Sequence, residues 1–247
     1  MPEESHHPKR KLKIPSIELT PSVSILIAGV IIAGAIIFTN HPGSTAAAAN
    51  AAGNTGAAGG TVAAANVPAP SASDHIIGSP TAPIVMVEYS DFQCPYCQMI
   101  YPSLKQIQST SGGQIAWVMR EFPLYQIHPN AMPAANAAEC IAEQLGNDGF
   151  WKFADDDFNN QANIGAAFFT AEAQKLGVDM TKYNSCISNS TYLQKIEGET
   201  SDAENSGGNG TPFTVVINTK THKQYPISGA LPLAQLQAVI AQAQAGK

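Results

Sequence analysis

This 247-residue chain is poor in charge. Only 13% of its residues are Asp, Glu, Lys or Arg, the net charge is −6, and no basic cluster lies beyond position 13. A polyanion-binding surface needs grouped Lys and Arg, so nucleic acid is not an expected partner. Nucleotide, flavin and metal motifs are also missing, and no cofactor is expected. A thiolate zinc site takes two close cysteine pairs. The chain has four cysteines, and only Cys94 and Cys97 stand close together, so a zinc reading is weak.

Two long stretches lack charge altogether. The run VSILIAGVIIAGAIIF, residues 23–38, also lacks proline and follows Lys9, Arg10, Lys11 and Lys13. Extended to 22–39, it is near the lower limit of about 17 residues for crossing a bilayer. Positive charge before the run places residues 1–21 in the cytoplasm as a basic tail and everything downstream outside. A signal-peptide core is typically about 7–15 residues. This longer run is therefore expected to stay as an anchor, although STAAAA at 44–49 offers small residues for cleavage. The second stretch, Gly43 to Ser73, has no charge, no aromatic residue and no hydrophobic period. Residues 40–73 are expected to be a flexible Ala/Gly-rich linker, closed by Pro68 and Pro70.

The folded domain is expected over 74–247. The apolar run IVMV at 84–87 predicts a buried strand, QMIYPSLKQIQST a helix stopped by Ser-Gly-Gly at 111–113, and QIAWVMREF at 114–122 a second strand. Strand, helix, strand implies a parallel crossover, with CPYC between the first strand and the helix. An Ala-rich block over about 129–205 predicts several short helices. TPFTVVINT at 211–219 and KQYPISG at 223–229 predict two more strands before a closing helix. The fold class is therefore α/β, a mixed sheet with an inserted helical subdomain, preceded by one N-terminal transmembrane helix.

A cysteine in the first turn of a helix faces unpaired backbone N–H groups and the positive end of the macrodipole, which stabilise a thiolate. Cys94 is thus the expected nucleophile and Cys97 the resolving thiol, and Pro95 suits the first helical position. Closing the four-residue ring would stabilise the fold by only about 2 kcal/mol in the chain-entropy model, so that bond is easily exchanged. A Cys140–Cys186 bond would close nearly fifty residues for about 4 kcal/mol on the same model and would staple the helical block. An even cysteine count in an extracytoplasmic domain fits such a bond. Trp117 and Trp151 are expected in the core, and Asp91 and His128 in ordinary turn or capping roles.

VEYSDFQCPYC, REFPLYQIHPNA and NGTPFTVVIN, in this order over residues 74–245, resemble the DsbA-like branch of the thioredoxin superfamily, the bacterial envelope thiol–disulfide oxidoreductases. The resemblance implies a thioredoxin-like sheet, Cys94 and Cys97 as the redox pair, and Pro95 and Tyr96 as the tuning dipeptide. It implies Pro212 as a cis-proline facing the sulfurs, with Thr211 beside it in the substrate-binding loop. Glu88 matches a buried acid that moves protons to and from the resolving thiol, although by pattern alone it reads as a solvent-facing strand residue. Expected partners are unfolded or reduced secreted proteins and a membrane redox partner that reoxidises or reduces the pair.

The expected function is a disulfide-forming oxidase acting through a mixed disulfide, with an envelope reductase using the same site as the alternative, since Tyr96 stands where the best-known oxidases carry histidine. The dimerisation domain of envelope disulfide isomerases is missing, so a monomer without isomerase activity is expected. The expected place is the cell membrane of a bacterial envelope, single-pass. A noncatalytic thioredoxin-fold binding or chaperone module is the alternative of another class.

Overall fold

The computed structural model describes residues 65–246, all within one unit, Gly59–Lys247. The basic tail, the anchor at 22–39 and most of the linker lie outside the described residues. Among the described residues, no helix is long and apolar enough to cross a membrane.

The elements run β1 (His75–Ile77), β2 (Ile84–Ser90), α1 (Pro95–Thr110), β3 (Ile115–Glu121), α2 (Ala131–Asn159), a 3-10 turn (Gln161–Asn163), α3 (Ala166–Leu176), α4 (Met180–Ser188), α5 (Leu193–Asn205), β4 (Phe213–Asn218), β5 (Gln224–Ser228) and α6 (Leu233–Gln244). The sheet order is β1-β3-β2-β4-β5, with β2 parallel to β3 and the remaining pairs antiparallel.

Strand β2 lies at the centre, and all seven of its residues are buried. That explains the unbroken apolar run, since a strand covered on both faces has no solvent side to alternate with. One core joins Met86, Trp117 and Val216 to α1, α2 and α6, and a second joins Val85, Val87, Val118 and Val215 on the opposite face. Helix α1 buries Cys97, Ile100, Tyr101, Leu104 and Ile107, one face at helical spacing, and so fixes the second cysteine against the sheet.

The helical block occupies residues 131–205. Helix α2 breaks at Gly146, whose φ of 68° and ψ of −161° suit only glycine. Cys140 of α2 is bonded to Cys186 of α4, with 5.8 Å between their Cα atoms.

Two features depart from the sequence expectations. The linker does not reach residue 73, because its last residues are docked on the domain. Val67 is buried, and its N–H and C=O pair with the Gln224 side chain at 2.9 and 3.0 Å. Arg120, buried between β3 and this segment, donates to Pro68 O at 3.2 Å and holds Asp74 at 2.7 and 3.1 Å. The segment binds largely through backbone carbonyls, which composition does not reveal. The other departure is β1, a short edge strand that pairs with β3 and was not expected.

Candidate active site

The segment from Asp91 to Cys97 passes from β2 into α1 through a turn closed by Cys94 N–H to Asp91 O at 3.0 Å. Cys94 is the N-cap in extended conformation, and Pro95 takes the first helical position, where a missing N–H costs nothing. Pro95 and Tyr96 are exposed, Tyr96 by 59%, whereas Cys94 is only 3% exposed and Cys97 is wholly buried. Both are free thiols. Cys94 therefore presents a narrow edge of sulfur rather than an open side chain.

The turn is held from two directions. Asp91, itself buried, accepts the N–H groups of Gln93 at 2.7 Å and Leu124 at 2.8 Å, and its Oδ2 lies 2.8 Å from His128 Nδ1. This is more than a turn cap, because it ties the loop after β3 to the turn that carries Cys94. From the helical block, Gln161 Nε2 donates to Phe92 O at 2.9 Å and to Cys94 O at 3.0 Å, while Gln98 Nε2 donates back to Phe158 O at 2.6 Å. Gln161 and Gln98 had no signal in the sequence, since their partners lie at least sixty residues away.

The peptide Thr211–Pro212 is cis and brings Thr211 to the first cysteine. Cys94 Sγ lies 3.4 Å from Thr211 O. The Thr211 hydroxyl is buried without another partner, where it can donate to a thiolate at Cys94. Beneath the pair lies Glu88, completely buried, with Oε2 accepting from Trp117 Nε1 at 3.1 Å and Oε1 unpartnered. The solvent-facing reading of Glu88 is thus corrected, because β2 is covered on both sides. Trp117 is core, as expected, and also holds this acid.

Electrostatics separates the two thiols. The Cys94 thiol is lowered to about 6, chiefly by a hydrogen bond from Cys97, with help from Thr211 and the N–H groups of Cys97 and Tyr96, against the cost of burial. Helix-start N–H groups contribute, as the sequence suggested, but the neighbouring thiol contributes more. Burial pushes Cys97 well above the usual thiol range, aided by its bond to Cys94 and by the charge of Glu88. Burial raises Glu88 to about 7. One thiol is thus poised to be a thiolate at neutral pH, and its partner is poised to keep a proton, with an acid that titrates near neutrality below it.

Among the described residues, no group of His, Cys, Asp and Glu could hold a metal ion. The Cys140–Cys186 bond lies in the helical block and belongs to the scaffold.

Residues 71–241 match the sequence profile of the thioredoxin family. Among curated relatives, a Na(+)/H(+) antiporter NhaA 1 of Mycolicibacterium gilvum is 32% identical over 152 residues, 61% of this chain and 24% of that protein. An antiporter NhaA 3 of Salinispora tropica is 32% identical over 172 residues, covering 70% and 26%. The chain spans about a quarter of the length of these relatives. Among solved structures, Pseudomonas aeruginosa DsbA2 superposes with a TM-score of 0.58 at 22% identity, over 70% of this chain and 96% of that one. Wolbachia pipientis alpha-DsbA1 gives 0.61 at 22%, over 72% and 94%. Oxidised BdbD of Bacillus subtilis gives 0.61 at 18%, over 73% and 98%. At these identities the likeness establishes the fold.

Proposed function

The chain belongs to the thioredoxin family and has a DsbA-like fold, and from that premise we propose that it is a protein thiol–disulfide oxidoreductase working in the disulfide-forming direction. The observation that carries this reading is the asymmetry of the pair, a low-affinity thiol at the helix start over a high-affinity thiol beside a buried acid.

In the oxidised enzyme a substrate thiolate attacks Cys94 Sγ. The Cys94–Cys97 bond breaks, and Cys97 leaves with the electron pair and takes a proton from Glu88. The substrate's second thiolate then attacks its own sulfur in the mixed disulfide. Cys94 leaves as a thiolate, a good leaving group because its proton affinity is low. The substrate has lost two electrons and the pair has gained them. Reoxidation by a membrane partner's disulfide reverses the roles, with Cys94 attacking and Cys97 resolving.

Low Cys94 affinity favours the reduced enzyme, and hence oxidation of substrate. With a thiol near 6 against an ordinary 9, the reduced form gains on the order of 1 kcal/mol at pH 7, equivalent to roughly 20 mV of oxidising potential. The exposed side chains of Tyr96 and Met99 on α1, and of Tyr125 and Ile127 on the loop held by Asp91, suit reduced, unfolded chains that display apolar segments. The backbone beside Pro212 suits an extended strand. Antiport remains a property named for the relatives, whose length this chain mostly does not share.

The potential in a glutathione buffer tests the direction. A value at or below that of thioredoxin, about −270 mV, would overturn the oxidase reading in favour of a reductase. Cys94→Ser should abolish oxidation of a reduced substrate protein; full retention of cellular function would instead favour a noncatalytic binding module.

The same proposal places the domain outside the cytoplasmic membrane on the 22–39 anchor. The basic residues before that run and the Cys140–Cys186 bond, of a kind that persists in oxidising compartments, support it. Protease treatment of spheroplasts should digest the domain, and alkaline carbonate should leave the chain in the membrane. Release by carbonate, or protection from protease, would overturn this placement.

A further inference from the structure

On the sheet face covered by α1 and α2, buried side-chain oxygens collect in one place: Thr214 Oγ1 on β4, Glu88 Oε1 on β2 and Glu121 Oε1 on β3 lack a close hydrogen-bond partner, and the Ser90 hydroxyl on β2, which acts on both the Glu88 carboxyl and the Cys97 thiol, lies among them. Strand register sets them side by side, with Glu88 opposite Thr214 and Ser90 opposite Glu121. Each unpaired buried oxygen costs about 1–3 kcal/mol. Their adjoining positions make a continuous polar track through the otherwise apolar face, from Thr214 across Glu88 and Ser90 to Glu121.

One end of the track is the resolving thiol, on which both Glu88 and Ser90 act. The other end is Glu121, which is faced by Glu139 from α2, by Glu199 and Lys195 from α5, and by Asp91 from the redox turn. Glu199 Oε2 accepts the Glu121 N–H at 2.7 Å. Lys195 bridges Glu139 at 2.5 Å and Glu199 at 2.9 Å, and His75 pairs with Glu139 at 2.9 Å. The Lys195 side chain is 20% exposed, so the cluster reaches solvent there.

We propose that Glu121 is a proton-relay residue of the redox pair, exchanging protons with Glu88 by way of the Ser90 hydroxyl and with solvent at the Lys195 cluster. This rests on the thiol-exchange reading and extends it to the path the proton takes. When the pair is opened, Cys97 takes the Glu88 proton. Ser90 then gives its proton to the Glu88 carboxylate and receives that of Glu121, which solvent refills. When Cys97 resolves a mixed disulfide, the same proton travels outward. Burial and the carboxylates around it keep Glu121 protonated well above the usual range, so it has a proton to pass.

The test uses reduced protein and glutathione disulfide, with acid quench and mass spectrometry across pH 5.5 to 8.5. Cys94 forms a mixed disulfide with glutathione, and Cys97 must lose its proton to resolve it. Glu121→Gln keeps the shape and the neutral state, so a packing role tolerates it, but an amide does not relay protons. The mixed disulfide should form at the wild-type rate and decay about tenfold more slowly at pH 7, a smaller loss than the roughly 10²-fold of a directly acting acid–base group. Ser90→Ala should give the same split, and it carries the test if Glu121→Gln does not fold. Wild-type decay with a wild-type pH profile in both variants would overturn the relay, as would equal losses in formation and decay. A wild-type protein that forms no mixed disulfide, or a Cys97→Ser variant that resolves it as fast as wild type, would instead defeat the underlying thiol-exchange reading.

Discussion

Reducing the Cys94–Cys97 bond should make the domain less stable at low pH and more stable at high pH than its oxidised form. Two terms compete. The oxidised four-residue ring restricts the unfolded chain and is worth about 2 kcal/mol. The reduced form gains from the Cys94 thiolate, whose affinity falls from 9.0 to about 6 on folding. A depressed folded value gives stability that is complete above the unfolded value and lost as pH falls through the folded one. The gain is near zero at pH 5, roughly 1 kcal/mol at pH 7 and roughly 3 kcal/mol at pH 9. Cys97, raised in the fold, withdraws a part of that gain as pH approaches the ordinary thiol range. The oxidised form should thus lead by about 2 kcal/mol at pH 5, the two should meet near pH 7.5, and the reduced form should lead by roughly 1 kcal/mol at pH 9. Urea unfolding of each form measures the difference, with Cys140–Cys186 intact in both and acid-quenched alkylation guarding against scrambling. A difference that stays constant from pH 5 to 9 would refute the assignment of a low-affinity Cys94.

Thr211→Val removes a hydroxyl that donates to the thiolate. At about 1.5–3 kcal/mol for a hydrogen bond to a charged group, it should raise the Cys94 titration by about 1 to 2 units, read from thiolate absorbance at 240 nm; an unchanged midpoint would remove Thr211 from the site. Asp157 is fully buried with both carboxylate oxygens unpartnered, and burial, aided by Asp91, raises it to about 8. A raised carboxyl costs stability progressively as pH climbs from its unfolded value to its folded one. Asp157→Asn should therefore stabilise the domain by several kcal/mol at pH 8 and far less at pH 4, and equal effects at both pH values would contradict the burial argument. Replacing Cys140 and Cys186 by Ala opens a 46-residue separation and should lower stability by about 4 kcal/mol while leaving the Cys94 titration in place. A shifted titration would show that the staple also shapes the redox turn.

The order of elements was legible because it depends on local pattern. A doubly buried strand, a helix with apolar residues at 99, 100, 104 and 107, and an Ala-rich block between two β regions all write themselves in short windows. Strand β1 escaped because three residues carry too little pattern. The docking of residues 65–73 escaped because Gln224 and Arg120 hold backbone atoms, which every sequence possesses.

For the site, the sequence by itself determined that Cys94 and Cys97 stand one turn apart at a helix start, with Pro95 between them and a Thr-Pro pair far downstream. Only the tertiary structure decided their difference. Cys94 is lowered by Cys97 beside it and by Thr211 from 117 residues away, whereas Cys97 is raised by burial and by Glu88. The affinity of a group for its proton follows from the water it has lost and the dipoles that replaced that water. Those are set by which distant segments pack against it, so two identical side chains three residues apart acquire opposite chemistry.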